Sequence, residues 1–327
     1  MKDFFTLRTR ADRQLAFGSS VLLLALLTGV GFALLLDSAR PVEESRLLLR
    51  ADAQMTLVPG HQRLTEAPPM VAVLMRQQAR RQGPAKIVII IDDLGMSPAA
   101  LDRLTALPPP LTLSFLPYAP DVQRQVDQAI ARDHEIMLHL PMEASLAGEA
   151  EAAIGPGPNA LLVGQSNAVL RQRLANNLNS FTGYQGVNNH MGSRFTQSNA
   201  KMKLVLTQLD QRGAFFLDSR TTGASRVKTA AAALGLTTLR RDVFLDADFG
   251  AGGAAYVAGQ LRQLEVIAKQ QGSAIAIGHP YDTTLEALGP WLVSAEARGF
   301  MVVGASSLRP AKRTLRQIAQ AQLQAGN

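Results

Sequence analysis

Two adjacent carboxylates, Asp92 and Asp93, close an unbroken apolar run in the stretch KIVIIIDDLG, Lys86 to Gly95. Downstream, His139, His190 and His279 each end a short strand-like run, and Asp218 ends another. Carboxylate plus imidazole, in a chain without cysteine, is a donor set that suits Zn²⁺ or another divalent ion. One Asp with two or three His leaves a coordination position open for water. Water activated in this way, with a carboxylate base beside it, attacks a carbonyl, and an opposed histidine protonates the leaving amine or alkoxide. Helix capping and core burial account for fewer of these residues. A single Asp before Ser97-Pro98 suffices to cap a helix from about Pro98 to Ala106, so capping leaves one carboxylate over. A lone histidine is usually a core residue satisfied by the backbone, but three at strand ends, with two carboxylates, favour a shared site. Ser114, Ser193 and Ser219 offer hydroxyls, yet none sits in a G-x-S-x-G elbow. No Gly-rich phosphate loop is present, and GAGGAA, Gly250 to Ala255, reads as a flexible loop.

The elements that must position these residues alternate in type. Ile87 to Ile91 is all β-branched, as in a strand buried on both faces of a parallel sheet. Further strands are predicted at Leu111 to Leu116, His134 to His139, Gly186 to His190, Ala214 to Leu217, Thr237 to Leu239, Ala274 to Gly278 and Phe300 to Val303. Helices are predicted between them, at Pro120 to Asp133, Gln165 to Phe181 with Ser166 as cap, Asn199 to Arg212, Val227 to Leu234, Ala255 to Gln271 and Thr283 to Arg298. Strands alternating with helices point to a parallel (β/α) barrel or a large doubly wound sheet. Such folds carry their chemistry at the carboxyl ends of several strands, where Asp92, Asp93, His139, His190, Asp218 and His279 all fall.

The rest of the chain sets the context. Lys2, Arg8, Arg10 and Arg13 precede an uncharged run from Gln14 to Leu36, long enough to span a bilayer. No clean cleavage site follows, since Asp37-Ser38-Ala39 is a poor one. The expected arrangement is a single-pass inner-membrane protein, with the basic N-terminus in the cytoplasm and the remainder on the periplasmic or extracytoplasmic side. The expected divisions are residues 1–37 as cytoplasmic N-terminus and anchor, 38–85 as a Pro-broken linker, 86–310 as the barrel domain and 311–327 as a polar tail. His61 falls in the linker and reads as an exposed loop residue. The net charge of +7 is spread without a basic block, and aromatics are only 5%, which argues against a nucleic-acid partner.

From about Lys86 to Leu308 the chain resembles the polysaccharide deacetylases of carbohydrate esterase family four. It looks closest to their divergent branch, through Ile91 to Gly95 (IDDLG), His139 to Glu143 (HLPME), Asn188 to Thr196 (NNHMGSRFT) and Gly278 to Pro280 (GHP). The resemblance implies a distorted (β/α) barrel in which Asp92 is the base, Asp93 a metal ligand, His139 the first ligand histidine and His279 the acid. It departs from the family where a second ligand histidine is expected four residues after His139. Glu143 stands there instead. His190 is the expected replacement, with Glu143 and Asp218 as further candidates, unless Pro141 turns Glu143 away. The implied activity is a membrane-anchored, Zn-dependent hydrolase that removes an N- or O-acyl group from an envelope glycan such as peptidoglycan. The alternative is a catalytically silent glycan-binding or scaffold protein of the envelope.

Overall fold

The computed structural model describes residues 83–145, 155–247 and 252–309. The expected anchor, nearly all of the linker, and the C-terminal tail lie outside these residues. Among the described residues, no helix is long and apolar enough to cross a membrane.

The founding strand, β1, spans Ala85–Leu94. Ile87 to Ile91 are each fully buried. Alternation along the strand sends them to two different cores. Ile87, Ile89 and Ile91 join the large core beneath the helices. Val88 and Ile90 point inward and pack with Met137, Phe215, Leu217, Ile275 and Ile277 from other strands. A strand with apolar neighbours on both sides needs no polar face, which is why its sequence shows no alternation.

Eight further strands join β1: β2 (Thr112–Phe115), β3 (Glu135–Met142), β4 (Gly186–Met191), β5 (Phe215–Asp218), β6 (Leu239–Arg240), β7 (Val243–Phe244), β8 (Ser273–Gly278) and β9 (Phe300–Val302). The order across the sheet is β6-β5-β4-β3-β2-β1-β8-β7, and every pairing is parallel. β9 pairs with the start of β1, at Ala85 to Ile87, while β2 pairs with its end, from Ile90 to Leu94. Residues 241–242 alone connect β6 to β7, at opposite ends of that order. Two intervening residues hold those edges within about 11 Å of each other. The sheet is therefore a curled half-barrel of parallel strands, with no ladder between β6 and β7 among the described residues.

Seven α-helices connect these strands among the described residues: α1 (Pro98–Thr105), α2 (Val122–Ile130), α3 (Asn167–Leu178), α4 (Asn199–Gln211), α5 (Val227–Ala232), α6 (Gly253–Gln271) and α7 (Asp282–Ala295). α1 begins at a proline and is capped by Ser97, whose Oγ accepts from the Ala100 N–H at 3.3 Å. Neither Asp92 nor Asp93 is the cap. Ser166 caps α3 as expected, accepting from the Val169 N–H at 3.3 Å.

Two strands differ from expectation. β7 has no counterpart among the predicted strands, because two residues are too short for any periodicity to register. β3 does not stop at His139 but runs on to Met142. Pro141 is tolerated there because β2 pairs with β3 only as far as Leu138, so the missing N–H breaks no ladder on that side. The Leu161 N–H instead donates to the Pro141 carbonyl at 2.9 Å.

Candidate metal centre and active site

The inward row of the half-barrel changes character toward its carboxyl end. On each strand the residue two places beyond an inward apolar side chain also faces inward. Ile90 is followed in this way by Asp92, Met137 by His139, Leu217 by Ser219 and Ile277 by His279. On β4, Val187 packs outward with the helices, so Asn188 and His190 face inward. One rule of alternation thus delivers polar side chains from five strands to one place.

Asp93 should break that rule, since adjacent strand residues point to opposite faces. It does not, because its φ is +59° and the register of β1 against β2 shifts between Ile91 and Leu94. Left-handed backbone at a non-glycine residue is strained, though Asp is among the side chains that tolerate it. The local turn brings both carboxylates to the same imidazole. His139 Nε2 lies 3.6 Å from Asp92 Oδ2 and 3.2 Å from Asp93 Oδ1.

His190 Nδ1 lies 2.9 Å from the same Asp93 Oδ1. Asp93, His139 and His190 each offer one ligand atom, all within 4.8 Å of one another. Asp93 Oδ1 is buried and takes no hydrogen bond, although two imidazole nitrogens stand beside it. A carboxylate oxygen and two imidazole nitrogens converging in this way fit Zn²⁺ or a similar divalent ion. His139 is buried, while Asp93 and His190 are partly open, so the cluster has an accessible face.

Asp92 and His279 flank the cluster. His279 Nε2 is 3.7 Å from Asp93 Oδ2. Its Nδ1 is 3.0 Å from Asp246 Oδ1, and its backbone N–H donates to Asp246 Oδ2 at 2.6 Å. Asp246, 1% exposed, also accepts from Thr284 Oγ1 at 2.8 Å. Gly278 makes this approach possible, because a Cβ there would stand 3.2 Å from Asp246 Oδ2. On the other side, Asn188 Nδ2 donates to Asp92 Oδ1 at 2.8 Å and Oδ2 at 3.0 Å.

These neighbours set the charges. Burial raises the Asp92 pKa, and the rings of His139 and His279 with the Asn188 amide only partly pull it back. Burial opposes charge on Asp93 too, but His139 and His190 outweigh it and hold that carboxyl well below the usual range. His139 is buried, which disfavours its cation, yet Asp92 and Asp93 push its pKa up to about 9 in the metal-free protein. Burial likewise works against a charged His279, and Asp246, then Asp93 and Asp92, reverse it and raise the pKa.

Comparison with known proteins identifies the family of the domain that carries these residues. Residues 89–309 match the model of the divergent polysaccharide deacetylases. The chain belongs to the divergent polysaccharide deacetylase family. It is 30% identical over 203 residues to the uncharacterized protein YibQ of Escherichia coli K12, covering 62% of this chain and 61% of that protein. The match therefore spans less than two thirds of that relative's length. It is 32% identical over 204 residues to an uncharacterized protein of Haemophilus influenzae, covering 62% of this chain and 70% of that one. The crystal structure of an uncharacterized Agrobacterium tumefaciens protein superposes with a TM-score of 0.64 at 29% identity, over 70% of this chain and 94% of that one.

Within this deacetylase-family domain, two of the expected additional ligands are engaged elsewhere. Glu143 Oε2 accepts from the Val163 N–H at 2.6 Å, and Oε1 pairs with Arg194 Nη1 at 2.8 Å. The extended course of β3 explains this, since four strand residues carry Glu143 about 13 Å beyond His139. Asp218 lies on the outward face of β5, opposite to Leu217. Its Oδ1 accepts from the Arg220 N–H at 2.8 Å and its Oδ2 from Ser225 Oγ at 2.7 Å. Sequence reasoning gives no role to Asp246 or Asn188. Asp246 follows β7, which no periodicity announces. Asn188 sits two residues before His190, and that spacing on a strand is the available signal.

Proposed function

We propose that this protein is a metal-dependent hydrolase that removes an acyl group from an envelope glycan, held at the membrane by the Gln14 to Leu36 run. The convergence of Asp93, His139 and His190, with Asp92 and His279 on either side, carries the reading. Asp93, His139 and His190 would hold the ion. A divalent ion at that position supplies Lewis acidity toward the acyl carbonyl and lowers the pKa of water to about 7.

The chain's own groups complete the reaction. Asp92 removes a proton from the attacking water, and its raised pKa makes it a stronger base than an exposed aspartate. His279, whose pKa Asp246 raises against the effect of burial, donates a proton to the leaving nitrogen or oxygen as its bond to the acyl carbon breaks. The carbon gains the water oxygen, and the glycan leaves as free amine or hydroxyl. Membership of the divergent polysaccharide deacetylases supports a glycan as substrate, peptidoglycan among the candidates. The test is acetate release from acetylated glycan fragments by full-length protein supplied with Zn²⁺, Co²⁺ or Ni²⁺. Release dependent on the metal supports the reading. No release across a broad glycan panel, with no metal retained, leaves a silent glycan-binding protein.

A further inference from the structure

Asn188 is fully buried, and every polar atom of its amide is engaged. Nδ2 donates to both oxygens of Asp92, at 2.8 and 3.0 Å, and to Ser219 Oγ at 3.2 Å. Oδ1 accepts from Ser114 Oγ at 2.6 Å and faces His139 Nδ1 at 2.9 Å. Only one orientation of this amide satisfies its surroundings. An ionised Asp92 can only accept, so the NH₂ must face it. The amide oxygen then faces His139, which must present Nδ1 with its proton. In the neutral ring, the form that binds a cation, the lone pair is then on Nε2, toward Asp93 and the ligand cluster.

We propose that Asn188 is a positioning residue that serves two groups at once, fixing the ligand tautomer of His139 and the orientation of Asp92. The proposal rests on the hydrolase reading for the role of Asp92, but its part concerning His139 is readable from metal binding alone. The chain setting supports a built device. Asn188 and His190 share a face of β4, and Asn188 pairs with His139 in register. The next residue, Asn189, faces the other way and anchors the strand end, accepting from the Ser219 N–H at 2.9 Å and donating to the Met191 carbonyl at 2.7 Å. Met191 and Gly192 then turn with φ of +53° and +86°, so β4 ends just after His190.

The two roles separate by substitution in the full-length protein. Asn188→Asp keeps an oxygen for His139 but replaces the donors to Asp92 with a second carboxylate. Zn²⁺ affinity, read by competition with a chromophoric chelator, should stay within a few fold of wild type, while kcat falls with KM little changed. Asn188→Ala removes both functions and should weaken Zn²⁺ binding about 10–100-fold, the usual range for losing a group that orients a metal-bound histidine. In the Zn²⁺-loaded wild type, ¹⁵N–¹H spectra should show one ring bound through Nε2 with a slowly exchanging Nδ1 proton, His139. A second ring should be bound through Nδ1, His190. The slow Nδ1 proton should be lost in Asn188→Ala. Wild-type affinity in Asn188→Ala with that proton unchanged would overturn the proposal and leave the hydrolase reading standing. A wild-type protein that binds no Zn²⁺ would overturn both. If Asn188→Ala does not fold, a loss of Zn²⁺ affinity of about tenfold or more in folded, near-isosteric Asn188→Asp would overturn it.

Discussion

The rings of His139 and His190, from neighbouring strands, stand 5.0 Å apart centroid to centroid and reach the same oxygen of Asp93. In the usual family pattern two ligand histidines sit four residues apart on one segment. Here a parallel ladder brings two histidines together instead, pairing His139 with Asn188 and Pro141 with His190. The convergence of the two rings on Asp93 is therefore a property of the sheet, and β3–β4 register errors would destroy it.

His190→Ala should accordingly lose most metal affinity, whereas Glu143→Ala should keep it. The glutamate holds the Val163 N–H and Arg194 instead. Its loss should cost about 1–3 kcal/mol of stability, the range for a partly buried group left without its partner. Chelator competition and thermal unfolding on both variants separate the two roles. Metal loss in Glu143→Ala with retention in His190→Ala would reverse the assignment.

Much of this is legible in the sequence. The all-β-branched run at Ile87 to Ile91 reads as a strand buried on both faces, as it is, and alternation along that strand points Asp92 inward with Val88 and Ile90. What sequence pattern cannot supply is the conformation of Asp93. By alternation that side chain belongs outside, and only the left-handed φ turns it in. Asp246 escapes for a different reason. It depends on the two-residue strand β7, which exists through pairing with β8 and not through local propensity.

Metal binding should depend on pH with a definite sign. Without metal, His139 holds its proton up to about pH 9, and the cation must displace it. Affinity should therefore rise with pH and level off near pH 9, by about tenfold per unit where this proton alone is released. The same shift makes charged His139 stabilising in the metal-free fold. That contribution is complete below the ordinary value of 6.5 and fades as pH rises toward about 9. Metal-free protein should lose unfolding free energy across that window as metal affinity grows. Affinity independent of pH between 6.5 and about 9 would contradict the assignment of His139 as a ligand.

Asp246→Asn should move the alkaline limb of the rate profile to lower pH. Asp246 is the chief group raising the His279 pKa, and the proton on that ring is the one donated to the leaving group. Metal content should not change, because Asp246 touches no atom of the Asp93, His139 and His190 set. A pH–rate profile identical to wild type would remove His279 as the acid.

The inward and outward cores of β1 predict where stability resides. Ile89→Ala, in the outward core beneath the helices, should destabilise the domain by about 2–5 kcal/mol through the cavity it leaves. Denaturant unfolding measures this, and a change well under about 1 kcal/mol would mean the helices do not close over β1.

The most direct test pairs Asp92→Asn with Asp93→Asn in the full-length protein and reads bound metal and acetate release together. The two residues are adjacent in sequence and meet the same His139 nitrogen, yet only Asp93 belongs to the ligand set. Asp92→Asn should retain metal and release no acetate from a glycan that the wild type deacetylates. Asp93→Asn should lose the metal, and activity with it. Metal lost from Asp92→Asn, or acetate still released by it at the wild-type rate, would contradict the account of Asp92 as the base beside a metal held by Asp93, His139 and His190.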